Sequence, residues 1–486
     1  ADIIQLFKPI FNCDITAVAK EKKLSELGLS SVKLGQLHDV LVTHVDKDIS
    51  IEFLLGDPSL SDMMDLFATG TTKQEELHSA IDLLAEFNQY KNIRPHITCE
   101  PKPIPQHVVL TGATGFLGAY LLHELLTHTN WRITCLVQAS SLTAGMSRVI
   151  KNMEHYGLWD VVFHERVKVV LGNLEKNNLG LFRQDWEYLA DTIDLIFHGA
   201  AVLNFIYPYQ KLMVCNVLGT QQLIKLAGYK RLKALHYIST VGYFMSADLA
   251  DEAVIHEHNE LVPEDGIYGG YNQTKWLAER LVLHARSYNI PTVVYRPSLI
   301  TGESQTGHWN HDDVVCRILK GCIDLGARPT LDVGFNFVPV DYVAKAIAHL
   351  AKEKPYQVDT YHLINPQEVS VAQLFGYVQA KGFKIKEVAY PDWEKMIQQN
   401  SRHLDHSFSP LRPFFTEKVG QKDRSLFELY LHNNKAKIDC TYTQTQLAAH
   451  GIYCEKIDDV LFNRYLNYLL QCGYLTQITE AEHSDG

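Results

Sequence analysis

The feature that most constrains the fold is an apolar run, residues 107–111, that leads directly into three evenly spaced glycines, Gly112, Gly115 and Gly118. An amphipathic pattern then predicts a helix over 116–128, so the glycines occupy the turn between a strand and a helix. Strand-like runs recur at 132–137, 166–170, 193–197, 233–239 and 291–295, with helical stretches such as 209–228 and 271–288 between most of them. This alternation predicts an α/β fold with a Rossmann-type, doubly wound parallel sheet.

The glycine-rich turn has the form of a dinucleotide-binding loop. At this turn a Cβ would block the approach of the backbone to a pyrophosphate held on the helix N-terminus. The spacing alone also fits a simple tight turn, but its position between a strand and a helix favours a nucleotide. The residues predicted to contact the cofactor here are Gly112, Thr114, Gly115, Phe116, Leu117 and Gly118.

The end of the second strand indicates which nicotinamide cofactor is bound. NAD-binding units place an Asp or Glu there to hold the ribose 2′-hydroxyl. Here Gln138 follows the strand, no carboxylate occurs until Glu154, and Arg148 lies one or two helical turns onward. A 2′-phosphate would be repelled by a carboxylate, so the pattern favours NADPH. The alternative is that Arg148 is only a solvated surface charge.

Tyr271 and Lys275 form a Y-x-x-x-K pair at the start of a predicted helix, and this spacing places both side chains on one face. An adjacent ammonium stabilises a phenolate and makes the phenol a better proton donor. The pair alone occurs by chance in many helices. However, Thr240 ends the predicted fifth strand, at the sheet edge where such folds bind ligands. Together with the glycine-rich turn, these residues are typical of a short-chain dehydrogenase/reductase.

Several longer motifs resemble the extended short-chain reductases that act on thioesters. These are the terminal reductase domains of nonribosomal peptide and polyketide synthases and of carboxylic acid reductases. The resemblance covers about residues 105–476. It rests on segments 198–204, 216–220, 295–302, 306–310, 338–343 and 457–475, and on Tyr209.

The resemblance implies roles for individual residues. The catalytic roles fall on Thr240, Tyr271 and Lys275. The cofactor contacts fall on Thr114 to Leu117, Arg148, Asn173, Leu174, Ala200, Ala201 and Val202, with Tyr271 and Lys275 also holding the cofactor. Two positions depart from the family, which commonly has Arg where Gln138 stands and Asp where Asn173 stands.

An N-terminal segment resembles the attachment site of acyl and peptidyl carrier proteins. Residues 27–32 read Leu-Gly-Leu-Ser-Ser-Val, and Ser30 replaces the Asp of the carrier motif. Taken alone, a serine before an apolar helical pattern is most simply a helix N-cap. A carrier is nevertheless the expected neighbour of a thioester reductase, so Ser31 is predicted to carry a covalent 4′-phosphopantetheine.

These patterns predict a small helical carrier bundle over 1–70, a linker over 71–106, an NADPH-binding Rossmann core over 107–300 and a mixed α/β substrate-binding portion over 301–486. The first residue is not Met, which indicates a piece of a longer chain. The net charge of −11 argues against nonspecific nucleic-acid binding, and no apolar stretch is long enough to span a membrane. Nine scattered cysteines without C-x-x-C favour a reduced, cytoplasmic protein. His308, His311, Asp312 and Asp313 are expected to be loop residues, with no metal site.

The resemblance implies NADPH-dependent release of a carrier-bound acyl or peptidyl thioester as an aldehyde, with further reduction to an alcohol left open. The implied partners are upstream synthase or adenylation domains and a phosphopantetheinyl transferase. Three alternatives remain at this stage: a nucleotide-sugar epimerase or dehydratase, a β-ketoacyl reductase, and a cofactor-sensing protein without turnover.

Overall fold

The computed structural model of the chain describes residues 58–69, 81–246, 254–259, 266–400, 407–408, 411–416, 418–419, 424–433 and 436–476, with isolated positions 22, 24, 37 and 54. Ser31 and the rest of its motif lie outside the described residues, as do most of residues 1–57. The fold is described below from residue 58 onward.

The centre of the fold is a seven-stranded, fully parallel sheet. Its strands are β1 His107–Thr111, β2 Arg132–Val137, β3 Val167–Leu171, β4 Leu195–His198, β5 Ala234–Ile238, β6 Thr292–Pro297 and β7 Asp359–Leu363. Their order across the sheet is β7-β6-β5-β4-β1-β2-β3. The order reverses between β1 and β4, and ligands bind at such a switch point, beyond the carboxyl ends of the strands. The predicted doubly wound α/β sheet is confirmed.

Helices cover both faces of the sheet, because their apolar faces need a partner. On one face, α3 Arg183–Thr192, α4 Gly219–Ala227 and α5 Gly270–Ala285 pack on the strands; on the other lie α1 Phe116–His128, α2 Leu142–His155 and α7 Val340–Glu353. The C-terminal portion contributes α6 Val314–Leu325, α8 Val371–Ala380, α9 Tyr390–Asn400, α10 Leu426–Asn433 and α11 Asp459–Gln471. These helices share a third core, which is rich in aromatic side chains.

Shorter elements connect these layers. The helices among them are Leu60–Thr69, Leu83–Tyr90, Tyr209–Met213, Gly242–Ser246, Arg412–Thr416 and Thr441–Ala448, with 3₁₀ turns at Val161–Glu165, Asn177–Gly180 and Arg286–Tyr288. Two-stranded pairs join His96–Cys99 to Tyr229–Arg231, Val254–Ile255 to Lys437–Ile438, Leu299–Thr301 to Phe337–Pro339, Ala327–Pro329 to Lys386–Val388, Gly334–Phe335 to Val369–Ser370 and Lys418–Val419 to Arg424–Ser425.

Some boundaries differ from the sequence predictions, and the caps explain why. The pattern predicts a helix over 73–90, but residues 81 and 82 are not helical and the described helix begins at Leu83, where Asp82 accepts a hydrogen bond from the Ala85 amide at 2.8 Å. Likewise α11 begins at Asp459 and not at Lys456, because Asp458 caps it through the Leu461 amide at 3.0 Å. The helix predicted over 209–228 is interrupted by a π-helical turn, Val214–Leu218.

Candidate active site

The glycine-rich loop after β1 leaves room for a ligand against its backbone. Gly112 has a φ of +88°, a conformation that favours glycine. A Cβ on Gly112 would lie 2.9 Å from the Gly199 carbonyl carbon and the Ala200 nitrogen, and a Cβ on Gly118 would lie 1.9 Å from the Gly112 oxygen. The first and third glycines therefore allow close backbone packing at the switch point.

The N-terminus of α1 faces this loop without a side-chain cap. Gly115 is the N-cap residue and supplies no acceptor, Phe116 and Leu117 begin the helix, and a Cβ on Gly115 would meet only the Gly112 oxygen, at 3.4 Å. Helix amides in this position attract phosphate groups. These residues fit the pyrophosphate of a nicotinamide dinucleotide.

The sequence analysis missed a side chain that holds this loop in place. Asn152 on α2 donates from Nδ2 to the Ala113 oxygen at 3.1 Å and to the Gly115 oxygen at 3.0 Å. It thereby joins α2 to both halves of the glycine-rich turn. An isolated Asn within an amphipathic helix carries no sequence signal for this contact.

The structure brings together the two residues that were considered for the 2′-phosphate. The Arg148 guanidinium donates from Nη1 to the backbone oxygen of Gln138, directly after β2. Both side chains are exposed, and Ser141 caps α2 through the Ala144 amide at 3.1 Å. The end of β2 therefore presents a cation and neutral polar groups.

The other predicted cofactor residues lie on loops that follow neighbouring strands. Asn173 and Leu174 come after β3, where the Asn173 side chain accepts from the Glu175 amide at 2.9 Å. Ala200, Ala201 and Val202 come after β4. All of these loops lie at the carboxyl edge of the sheet, where the sequence analysis placed them.

The π-helical turn after Met213 holds a polar side chain at this edge. Asn216 accepts from the Val202 amide at 2.8 Å and donates to the Val202 oxygen and to Thr274 Oγ1, both at 3.1 Å. It links the loop after β4 to the helix that carries Tyr271. π-helical turns often occur at functional sites, and the sequence analysis recognised Asn216 only as part of a family motif.

Thr240, Tyr271 and Lys275 line one cavity. Lys275 is buried, and its Nζ donates to the Ile238 oxygen at 2.7 Å, at the end of β5, while lying 4.3 Å from the centre of the Tyr237 ring. Thr240 accepts from the Gly242 amide at 2.9 Å, which leaves its own hydroxyl proton to be donated elsewhere. The helix and the strand end thus converge as the sequence predicted.

The electrostatics of Tyr271 and Lys275 differ from the sequence expectation. Burial lowers the pKa of Lys275 to about 7, while the Glu279 carboxylate opposes this shift. Burial also raises the pKa of Tyr271, whereas an adjacent ammonium was expected to lower it. The physical reason is desolvation, which disfavours the charged form of both groups.

A buried ion pair lies beneath these residues. Glu279, one helical turn after Lys275, accepts from Arg296 Nε at 3.0 Å and Nη2 at 2.6 Å, and both side chains are almost fully buried. The same carboxylate accepts from Tyr243 OH at 2.9 Å and from the hydroxyl of Ser239, the residue before Thr240. Glu279 therefore ties α5 to the ends of β5 and β6. The sequence analysis did not identify this network.

The cavity extends from the three polar residues into the C-terminal portion and has a volume of about 330 Å³. Among the described residues, no group of three or more His, Cys, Asp or Glu side chains is placed to hold a metal ion. Within the same residues, no helix combines the length and the apolar character that crossing a bilayer requires.

Comparison with known proteins agrees with this geometry. Residues 110–347 match the NAD-binding family described as Male sterility protein. A component of the linear gramicidin synthase of Brevibacillus parabrevis is 31% identical over 93% of this chain, which covers 9% of that protein. The chain spans less than half the length of the first curated relatives that it matches.

Two solved structures resemble the chain over most of its length. A thiolation-reductase di-domain from an archaeal non-ribosomal peptide synthetase shares the fold over 97% of both chains, with a TM-score of 0.69 at 20% identity. The terminal R domain from the myxalamid PKS-NRPS biosynthetic pathway is 35% identical, with a TM-score of 0.74 over 81% of this chain and 99% of that one. The chain therefore belongs to the family of terminal reductase domains of nonribosomal peptide and polyketide synthases.

Proposed function

We propose that the protein reduces an acyl or peptidyl thioester to an aldehyde with NADPH and frees the thiol that carried the acyl group. The observation that carries this proposal is the convergence of Thr240, Tyr271 and Lys275 on one cavity, beside an uncapped helix N-terminus at the switch point of the sheet. Family membership supports it, because the similar solved structure is a terminal reductase domain.

The polar residues of the cavity suit stabilisation of a developing oxyanion. A bound nicotinamide supplies a hydride to the thioester carbon. The hydroxyls of Thr240 and Tyr271 donate hydrogen bonds to the carbonyl oxygen, which gains negative charge. Lys275, held by the Ile238 oxygen, is placed to bind the cofactor ribose and to orient Tyr271.

The reaction is balanced without a further reactant. One hydride forms the new C–H bond and one proton is taken up as the C–S bond breaks, so the products are an aldehyde, a free thiol and NADP⁺. Incubation with NADPH and an acyl-pantetheine tests this proposal directly, with the product identified by mass spectrometry. We expect equal amounts of aldehyde and free thiol, and an alcohol would indicate a second reduction.

We expect the protein to prefer NADPH to NADH, because Arg148 and Gln138 present donors at the end of β2. Arg148→Ala should weaken NADPH binding by about tenfold, the usual loss for one charge-assisted hydrogen bond, and should leave NADH binding unchanged. Fluorescence titration of both cofactors measures this. Arg132→Ala removes the same side chain at the opposite end of β2 and serves as the control. An equal loss of affinity for both cofactors would show that Arg148 does not bind the phosphate.

We also propose that the acyl group is delivered on a 4′-phosphopantetheine attached to Ser31 by a phosphopantetheinyl transferase, after loading by upstream synthase or adenylation domains. The carrier-like motif and the full-length fold likeness to a thiolation-reductase di-domain support this proposal. Ser31→Ala should abolish the mass gain of one phosphopantetheine on incubation with CoA and a transferase, whereas Ser30→Ala should retain it. Modification of the Ser31→Ala protein would place the site elsewhere.

A further inference from the structure

The cavity is polar only where it meets the proposed reacting carbonyl. Beyond Thr240, Tyr271 and Lys275 its wall passes into the aromatic core of the C-terminal portion. Side chains from distant parts of the chain form this wall, among them Phe205, Ile318, Leu331, Phe335, Leu374 and Phe375. A chain attached to the carbonyl carbon would therefore leave the polar groups and enter hydrocarbon surroundings.

The apolar wall begins beside the proposed proton donor. The ring of Phe205 lies 5.8 Å from that of Tyr271 and 5.6 Å from that of Phe414, which belongs to the C-terminal portion. The first carbons after the carbonyl would thus meet aromatic surfaces from both parts of the chain. There is no polar interval among these described residues in which a charged group near the carbonyl could be solvated.

Among the described residues that line the cavity, Asp313 is the only charged one besides Lys275. Its carboxylate accepts from the Val315 amide at 2.8 Å and caps the N-terminus of α6. Burial raises its pKa to about 6, which shows that these surroundings disfavour charge. This described part of the wall offers no arginine or second lysine to pair with an acyl carboxylate, and its one acid already serves a helix.

We infer that the acyl group bound by this site is an uncharged and mainly hydrocarbon chain. This inference rests on the proposed thioester reduction. Each methylene transferred from water into such a cavity is favourable, whereas a charge transferred without a partner is strongly unfavourable. The cavity therefore selects its substrate by the polarity of the acyl chain.

Three pantetheine thioesters of matched length test the inference on the wild-type protein. Heptanoyl-, adipyl- and 6-aminohexanoyl-pantetheine differ mainly in the end group, which is a methyl, a carboxylate or an ammonium. We expect kcat/KM for the heptanoyl thioester to exceed that of both charged thioesters by at least ~100-fold. Pentanoyl-pantetheine, with two fewer methylenes, should be about tenfold poorer than the heptanoyl thioester.

A charge placed in the wall gives a second measurement. Leu331 is half-buried and lines the cavity, so Leu331→Arg should lower kcat/KM for the heptanoyl thioester about tenfold and narrow its advantage over the adipyl thioester. Val358→Arg adds the same side chain at an exposed position before β7, at the opposite edge of the sheet, and should change neither value.

The outcomes separate this inference from the proposed function. If either charged thioester is reduced as well as the heptanoyl one, the inference is overturned while thioester reduction stands. If NADPH binds but none of the four thioesters is reduced, thioester reduction itself is wrong, and the inference fails with it.

Discussion

Tyr271→Phe should retain NADPH binding and lose most thioester reduction. The substitution deletes one hydroxyl and leaves the ring, so its contact with Phe205 is kept. Loss of one oxyanion donor costs on the order of 10²- to 10³-fold in kcat, and loss of a general acid costs ~10²- to 10⁴-fold. Because burial raises the pKa of Tyr271, this phenol is protonated at neutral pH and can donate. Aldehyde formation and cofactor titration together measure the effect.

The control for this prediction is Tyr188→Phe. Tyr188 lies on α3 and is 49% exposed, so the same deletion there should leave both the rate and the cofactor affinity unchanged. If the Tyr271→Phe protein reduced acyl-pantetheine at nearly the wild-type rate, Tyr271 would not be the proton donor. The short-chain reductase mechanism would then be wrong for this chain.

Glu279→Ala should destabilise the fold by about 3–5 kcal/mol, because removing one partner of a buried pair leaves the Arg296 charge uncompensated. It should also release the Ser239 and Tyr243 hydroxyls that the carboxylate holds. The free energy of unfolding in urea measures the effect. A decrease in activity should accompany it even where the protein remains folded, since Ser239 precedes Thr240.

The chain offers a matched control in a second Arg–Glu pair. Arg328 Nη2 and Glu387 Oε2 lie 2.5 Å apart, but the Glu387 side chain is 49% exposed. Glu387→Ala should therefore cost about 1 kcal/mol or less. Equal losses in the two variants would show that burial of the Glu279–Arg296 pair does not determine its contribution.

The sequence predicted the part of the fold in which local pattern and packing agree. Six of the seven sheet strands and the helices α1 and α5 follow from apolar runs and helical periodicity. The seventh strand, Asp359–Leu363, was missed because its sequence is mostly polar or aromatic. It is stabilised by parallel pairing with β6, a contact made by residues far apart in the sequence.

The candidate site divides in the same way. The glycine-rich turn, Thr240, Tyr271 and Lys275 are recognisable because short spacings encode them. The wall of the cavity joins Phe205, Ile318, Leu331 and Phe375 through tertiary packing, and no periodicity records that these side chains meet. The pKa of Lys275 was likewise beyond the sequence, because burial and not a neighbour in the motif determines it.

The most direct test of the account uses NADPH that carries deuterium at both C4 positions, together with heptanoyl-pantetheine. The account predicts an aldehyde with one deuterium on C1, formed in equal amount with free pantetheine, and loss of both products in the Tyr271→Phe protein. Release of heptanoic acid, or of an aldehyde without deuterium, would contradict hydride transfer to the thioester carbon.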